Sequence, residues 1–177
     1  MKRACFTLCT LLFGLLVFTE ARAQNQIDDT EFFVRQQFQD FSISNPSNSE
    51  IFSKIGQIDA CGANAACRNT QRVLVSRSLW DDSRFRAQSR TFGLSNTSGL
   101  ELYDTYDFVE LSYLIYLQRA SSDPPDDYQR LGFYFWKGSL DNCISNATTF
   151  SQSSQCNNDI VNAFLSSTEY RSRFGTP

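Results

Sequence analysis

The stretch Leu102-Tyr103-Asp104-Thr105-Tyr106-Asp107-Phe108-Val109-Glu110-Leu111-Ser112-Tyr113-Leu114-Ile115-Tyr116 decides the fold class. Leu102, Tyr106, Val109, Tyr113 and Tyr116 follow one another at steps of four, three, four and three, which gathers them on one stripe of a helix. Upstream, Phe33, Val34, Phe38 and Phe41 repeat the spacing, and Asp28, Asp29 and Glu31 favour a helix N-terminus through the macrodipole. Asn45-Pro46-Ser47-Asn48-Ser49 ends that helix, because the residue before a proline avoids the helical region and Asn and Ser form turns and caps. A shorter helix follows with Ile51, Phe52, Ile55 and Ile58 directed inward, and then one that carries Val73, Val75, Leu79 and Trp80. Downstream of the opening stretch, Asp123-Pro124-Pro125-Asp126-Asp127 stops one helix and starts the next, which turns Leu131, Phe133, Phe135 and Trp136 toward the core. A Ser/Thr/Asn-rich segment ends at Asp159, where Ile160, Val161, Phe164 and Leu165 open a final helix. The predicted fold class is all-α.

The chain reads as two related halves, 24–92 and 100–177, joined by the linker Gly93-Leu94-Ser95-Asn96-Thr97-Ser98-Gly99 at 93–99. The segment Phe33 to Phe41 lies without gaps on Phe108 to Tyr116, with aromatics matched at the first, sixth and ninth positions. Leu79 to Phe85 lies in the same order on Phe164 to Tyr170, so the reading is an internal repeat. Each half contains a cysteine pair. Four cysteines, Cys61, Cys67, Cys143 and Cys156, allow three pairings, and their short separations favour Cys61 with Cys67 and Cys143 with Cys156. A zinc site is disfavoured, since neither spacing matches the C-x2-C knuckles of such sites.

Residues 1–23 have the form of an export signal: Lys2 and Arg3, an apolar run from Ala4 to Phe18, and Ala21-Arg22-Ala23 as a small-x-small cleavage site before Gln24. The run is short for a membrane span, so no membrane span is expected after signal cleavage. Cleavage removes 23 of 177 residues, among them Cys9 and Cys5 and the only methionine, and leaves 154. It also removes three bases and one acid, which takes the formal charge from −3 to −5. A chain of that charge is a poor partner for nucleic acid, whose phosphates need a basic face. The absence of histidine excludes Ser-His-Asp and Cys-His nucleophiles and histidine metal sites. No cofactor or metal is expected.

Carboxylates are the remaining acid-base groups, in the clusters Asp81/Asp82, Asp104/Asp107 and Asp123/Asp126/Asp127. A glycosidase needs two such groups flanking a cleft, about 5 to 9.5 Å apart. Asp126 and Asp127 after two prolines, and Asp82 before Ser83-Arg84, read instead as helix-end charges and caps. The Asp123 neighbourhood lacks the D-x-D-x-D-G calcium loop. Sixteen phenylalanines invite a binding surface of exposed rings, but their helical spacing assigns most of them, with Trp80 and Trp136, to the core. Ser166 and Glu169 read as a capping box, and Arg171 and Arg173 as solvated.

Three segments, Phe33 to Phe41, Cys61-Gly62-Ala63-Asn64-Ala65-Ala66-Cys67, and Ile160 to Tyr170 with its Ser-x-Glu-aromatic ending, together resemble the bacterial domain-of-unknown-function 4214 family. The chain departs from that family at Ser44-Asn45-Pro46, where an Arg-Glu-Pro-Asp turn is usual, and supplies the Phe-Trp pair only as Phe135-Trp136. The resemblance implies an exported helical module and no catalytic residue; a looser similarity is to phycobilisome-linker domains. The expected function is a non-catalytic interaction or scaffold module, secreted to the cell surface, extracellular space or periplasm. Its expected partners are a protein, a matrix or surface glycan, or a second copy in a homo-oligomer. The alternative is a carboxylate-dependent hydrolase acting on extracellular polysaccharide.

Overall fold

Most helix starts among the described residues are written locally, as side chains that accept the N–H groups a first turn leaves unpaired. A computed structural model describes residues 25–91 and 104–175, so the leader, the linker at 93–99 and Leu102 lie outside the described residues. Helix α1 (Thr30–Asp40) starts at Asp29, whose carboxylate accepts from Phe32 N. Helix α2 (Asn48–Asp59) has a full capping box between Ser47 and Glu50. Asn64 caps α3 (Ala65–Trp80), which α4 (Ser83–Thr91) follows after a short turn. Asp104 caps α5 (Thr105–Ser112), which widens into a π-helical turn at Tyr113–Leu117. Helix α6 (Leu131–Asn146) leads to α7 (Phe150–Ser166), opened by a Thr149/Gln152 capping box, and Ser167 caps the last helix, α8 (Thr168–Ser172). The protein is all-α, with no strand among the described residues.

One apolar cluster joins the two parts of the chain. Trp80 at the end of α3 stacks on Phe108 of α5, centroids 4.3 Å apart and planes 25° apart. Phe41 makes T-shaped contacts with Trp80, Phe85 and Tyr116, centroids 5.8, 4.9 and 6.1 Å apart. The polar atoms this stack buries are satisfied inside it: the Tyr116 hydroxyl accepts from Trp80 Nε1 at 3.1 Å and lies 2.7 Å from Ser76 Oγ. That satisfaction matters because an unpaired buried hydroxyl costs about 1–3 kcal/mol. Helices α3 and α7 lie side by side across the junction.

The aromatic and large apolar positions aligned in the sequence have matched burial. Phe33 and Phe108, Phe38 and Tyr113, and Phe41 and Tyr116 are all buried, as are Leu79 and Phe164, Trp80 and Leu165, and Phe85 and Tyr170. The Phe41–Phe85 ring contact has its counterpart in Tyr116–Tyr170, also edge-on. Disulfides join Cys61 to Cys67 and Cys143 to Cys156, the first tying the end of α2 to α3 and the second α6 to α7.

Several sequence expectations need correction. Phe52, Leu131 and Phe135 are 61%, 67% and 63% exposed rather than inward. Each helix buries one face only: in α2 that face runs through Ile51 and Ile58, in α6 through Phe133 and Leu140, and the neighbouring residue about 100° away looks outward. Tyr106, placed on the α5 stripe, is 40% exposed at the start of that helix. The polar segment before Asp159 is the first half of α7 rather than a loop, because the Thr149 capping box and the disulfide hold it in register. The Ser cap of α8 is Ser167 rather than Ser166, and Glu169 is drawn away to Arg119. Asp126 and Asp127 precede α6 by several residues, which begins at Leu131 after Arg130 in the left-handed region.

Both disulfides close short loops, with sequence separations of 6 and 13. In the chain-entropy account they are worth about 2.4 and 3.0 kcal/mol. Replacing Cys143 and Cys156 together by serine is therefore expected to cost more than the same change at Cys61 and Cys67, by about 0.6 kcal/mol, as read from urea unfolding midpoints. The mass of the folded protein should rise on reduction and alkylation by the amount for four thiols; four thiols already free in the native protein would contradict both pairings.

Candidate functional site

The acidic clusters resolve into structural contacts. Asp82 accepts from Arg84 N at 2.8 Å and pairs with the Arg84 side chain, which also reaches Glu50 at 2.6 Å. Ser47 N–H, its hydroxyl and Arg84 pull the Glu50 carboxyl down to about 2. Asp81 pairs with Arg86, and Asp104 caps α5 through Asp107 N. Asp123 accepts from Ala120 N and Asp127 from Gln129 N. Asp126 shares Arg119 with Glu169, with Arg119 Nη2 2.8 Å from Asp126 and Nε 2.5 Å from Glu169. Asp126 comes this close to α6 because Gly132 has no side chain: a Cβ there would sit 2.7 Å from Asp126 Oδ1 and from the Tyr113 hydroxyl. Among the described residues no group of three or more metal-ligand side chains converges.

A groove forms elsewhere, where α3 meets α7, α8 and the turn before α1. Three adjoining depressions of about 230, 330 and 350 Å³ meet at Asn69. At one end Arg68 and Arg72, one helical turn apart on α3, face Arg171 of α8 across Asp28. Arg171 grips the Asp28 carboxylate with two parallel hydrogen bonds of 2.9 and 3.0 Å. Arg72 lies over the Phe33 ring, 5.0 Å from its centroid, and donates from Nη2 to the Asp28 carbonyl. Its Nε is buried and meets no acceptor among the described residues. Arg68 reaches Thr30 Oγ1 and, at 3.3 Å, Asp59. Three guanidiniums thus share two carboxylates, one of them held by a single long contact.

The other end is lined by Thr70, Leu74, Gln155, Asn158, Asp159 and Asn162. Asn69 Nδ2 donates to Asn162 Oδ1 at 2.9 Å and so bridges α3 and α7 along the groove floor. The groove is therefore polarised, with cations at one end and amides with one acid, Asp159, at the other. Arg171, by its hydrogen bonds, and then Arg72 hold Asp28 below its ordinary 3.8. A carboxylate whose folded value is lowered stabilises the fold above the unfolded value, and that contribution is lost as pH falls through the folded one. Stability is thus expected to drop as pH falls below about 3.8, and Asp28→Asn should flatten that acid limb while lowering stability at neutral pH by about 1 kcal/mol. Thermal melts between pH 2 and 7 check it; an unchanged acid limb would mean that the Arg171 grip is absent in solution.

Arg171 and Arg173, read as solvated, are instead ion-paired: Arg171 to Asp28, and Arg173 to the buried Asp40 at 2.7 Å. No local sequence pattern marks them, since their partners lie 143 and 133 positions away. The exposed rings have a different address. Tyr128, Tyr134 and Phe135 are more than half exposed, close in sequence at and before the start of α6. None of the three lines the groove. No protein-family model, no curated protein and no solved structure matches this chain. No helix among the described residues is long and apolar enough to cross a membrane.

Proposed function

We propose that the protein is an exported helical binding module that acts at the cell exterior through its surface, without acid-base catalysis. The observation that carries this reading is the polarised groove along α3 and α7, lined by the partly exposed Arg68 and Arg171 at one end and by amide side chains at the other. The acids that a hydrolase would need are engaged with arginines or backbone N–H groups in several separate places. Two disulfides fit maturation in an oxidising compartment, and residues 1–23 fit the leader that would take the chain there. The matched burial of Phe33 to Phe41 and Phe108 to Tyr116 supports descent by internal duplication, and the resemblance to the domain-of-unknown-function 4214 family agrees with such a module.

The test uses the full chain produced with its leader in an oxidising host. The mature protein should start at Gln24, and should sediment with isolated envelope or matrix material from a bacterium. Light scattering of the same sample reads self-association. A secreted monomer that sediments with no envelope fraction would overturn the module reading. Release of reducing sugar from polysaccharide, abolished by Asp81→Asn or Asp126→Asn in a folded protein, would replace it with the hydrolase.

A further inference from the structure

We infer that the groove binds an acidic polysaccharide segment, with a uronate carboxylate at the arginine end and neutral sugar hydroxyls at the amide end. This deepens the reading of the protein as a surface-binding module and rests on it. The arginine end is built for a carboxylate. Arg171 already holds one, Asp28, in the parallel two-bond geometry that guanidinium and carboxylate share. Arg72 beside it is mostly buried, donating to the Asp28 carbonyl and lying 3.7 Å from the Asp28 carboxylate, whereas Arg68 makes only long hydrogen bonds to Asp59 and Gly62 besides that to Thr30. Guanidinium N–H groups therefore remain for an external acceptor, and the side chains of Arg68 and Arg171 are each 28% exposed.

The amide end suits hydroxyls. Asn158 offers both a donor and an acceptor, the pairing a sugar hydroxyl needs, while Asn69 and Gln155, whose amide N–H groups go to Asn162 and Asp159, present carbonyl oxygens, and the exposed Leu74 supplies an apolar patch for the ring's C–H face. Asp159 repels an anion at that end while accepting from hydroxyls, so the groove orients its ligand. The chain's overall negative charge selects against a dense polyanion. A ligand with widely spaced carboxylates meets the local cations without bringing repulsion along its whole length.

The experiment titrates the folded, disulfide-bonded protein with trigalacturonate, with galactotriose and with sodium sulfate, following heat by calorimetry. Trigalacturonate should bind at least about tenfold more tightly than galactotriose, and its affinity should fall about tenfold in Arg68→Gln, the value expected for loss of one charge-assisted contact. Asn158→Leu, which leaves every arginine in place, should weaken trigalacturonate and leave circular dichroism unchanged. Equal affinity for the neutral sugar, or sulfate binding as tight as trigalacturonate, would overturn the inference. Binding of envelope material with no affinity for trigalacturonate would overturn it while leaving the module reading intact; absence of both would overturn the two together.

Discussion

Replacing Trp80 with alanine is expected to lower stability by about 4 kcal/mol, the scale of a fully buried aromatic truncated to a methyl group. Trp80 is 0% exposed, and it is the ring on which the two parts of the chain meet. It stacks on Phe108, meets Phe41 and Phe85 in T-shaped contacts, and its indole N–H reaches the Tyr116 hydroxyl. Alanine leaves a cavity bordered by Phe41 at the end of α1, Phe85 of α4 and Phe108 of α5, rings already packed on one another or on their own helices. The melting temperature should fall by about 8–16 °C, because each kcal/mol moves a domain of this size by about 2–4 °C. Trp80→Phe should cost less, since it retains the stack on Phe108 and the Tyr116 hydroxyl retains Ser76. Far-UV circular dichroism during urea unfolding checks both. A loss under about 1 kcal/mol for Trp80→Ala would show that the stack does not hold the two parts together.

The second large effect lies at Arg173. Its partner Asp40 has a side chain that is 0% exposed and also accepts from Gln36 Nε2 at 2.7 Å and from the Tyr170 hydroxyl at 3.3 Å. The Tyr170 hydroxyl in turn accepts from Gln37 Nε2 at 2.8 Å, and Arg173 Nη1 donates to the Tyr116 carbonyl at 2.5 Å. These contacts fasten α8 to α1 and to the π-helical turn. Arg173→Met removes the cation and leaves the carboxylate buried, which costs about 3–5 kcal/mol. Asp40→Leu combined with Arg173→Met should recover part of that loss, since removing both charges spares their desolvation.

The two variants also differ in pH dependence. Burial, the largest influence, raises the Asp40 carboxyl above 3.8, and Arg173 opposes it. Without Arg173 the folded value rises further. A carboxyl raised on folding contributes stability that is fully present below the unfolded value and is lost as pH rises through the folded one. Arg173→Met should therefore lie nearest the parent protein at acid pH and fall away as pH increases from about 4 toward neutrality. In the double variant, which has no Asp40 to titrate, the gap to the parent should not widen over that range. A constant gap for Arg173→Met across the same range would mean that Asp40 is hydrated and the ion pair exposed.

Periodicity made the helices legible. Phe33, Val34 and Phe38, and equally Phe108, Val109 and Tyr113, lie on buried faces as their spacing requires, and Asp29 caps the helix its position announces. The cysteine pairing was also readable, because each bond joins residues close in sequence. Reading failed where a residue's neighbour in space is not its neighbour in the chain. Phe52 and Ile51 are adjacent apolar residues that hydropathy alone does not distinguish, yet the packing of α2 buries Ile51 and exposes Phe52. Arg171 and Arg173 resemble any surface arginine until α8 docks on α1.

The division has one physical cause. Helix formation, capping and short disulfide loops depend on groups within about one to four turns of each other, so the all-α class, most helix positions and both cysteine pairs were determined by sequence alone. Electrostatic pairing acts through space. Arg68, Arg72 and Arg171 become one cation cluster only when α3 and α8 close around Asp28, and Asn69 meets Asn162 only when α3 lies against α7. The groove, and with it the site, is therefore a product of tertiary structure, decided by which helices the buried aromatic stack brings together.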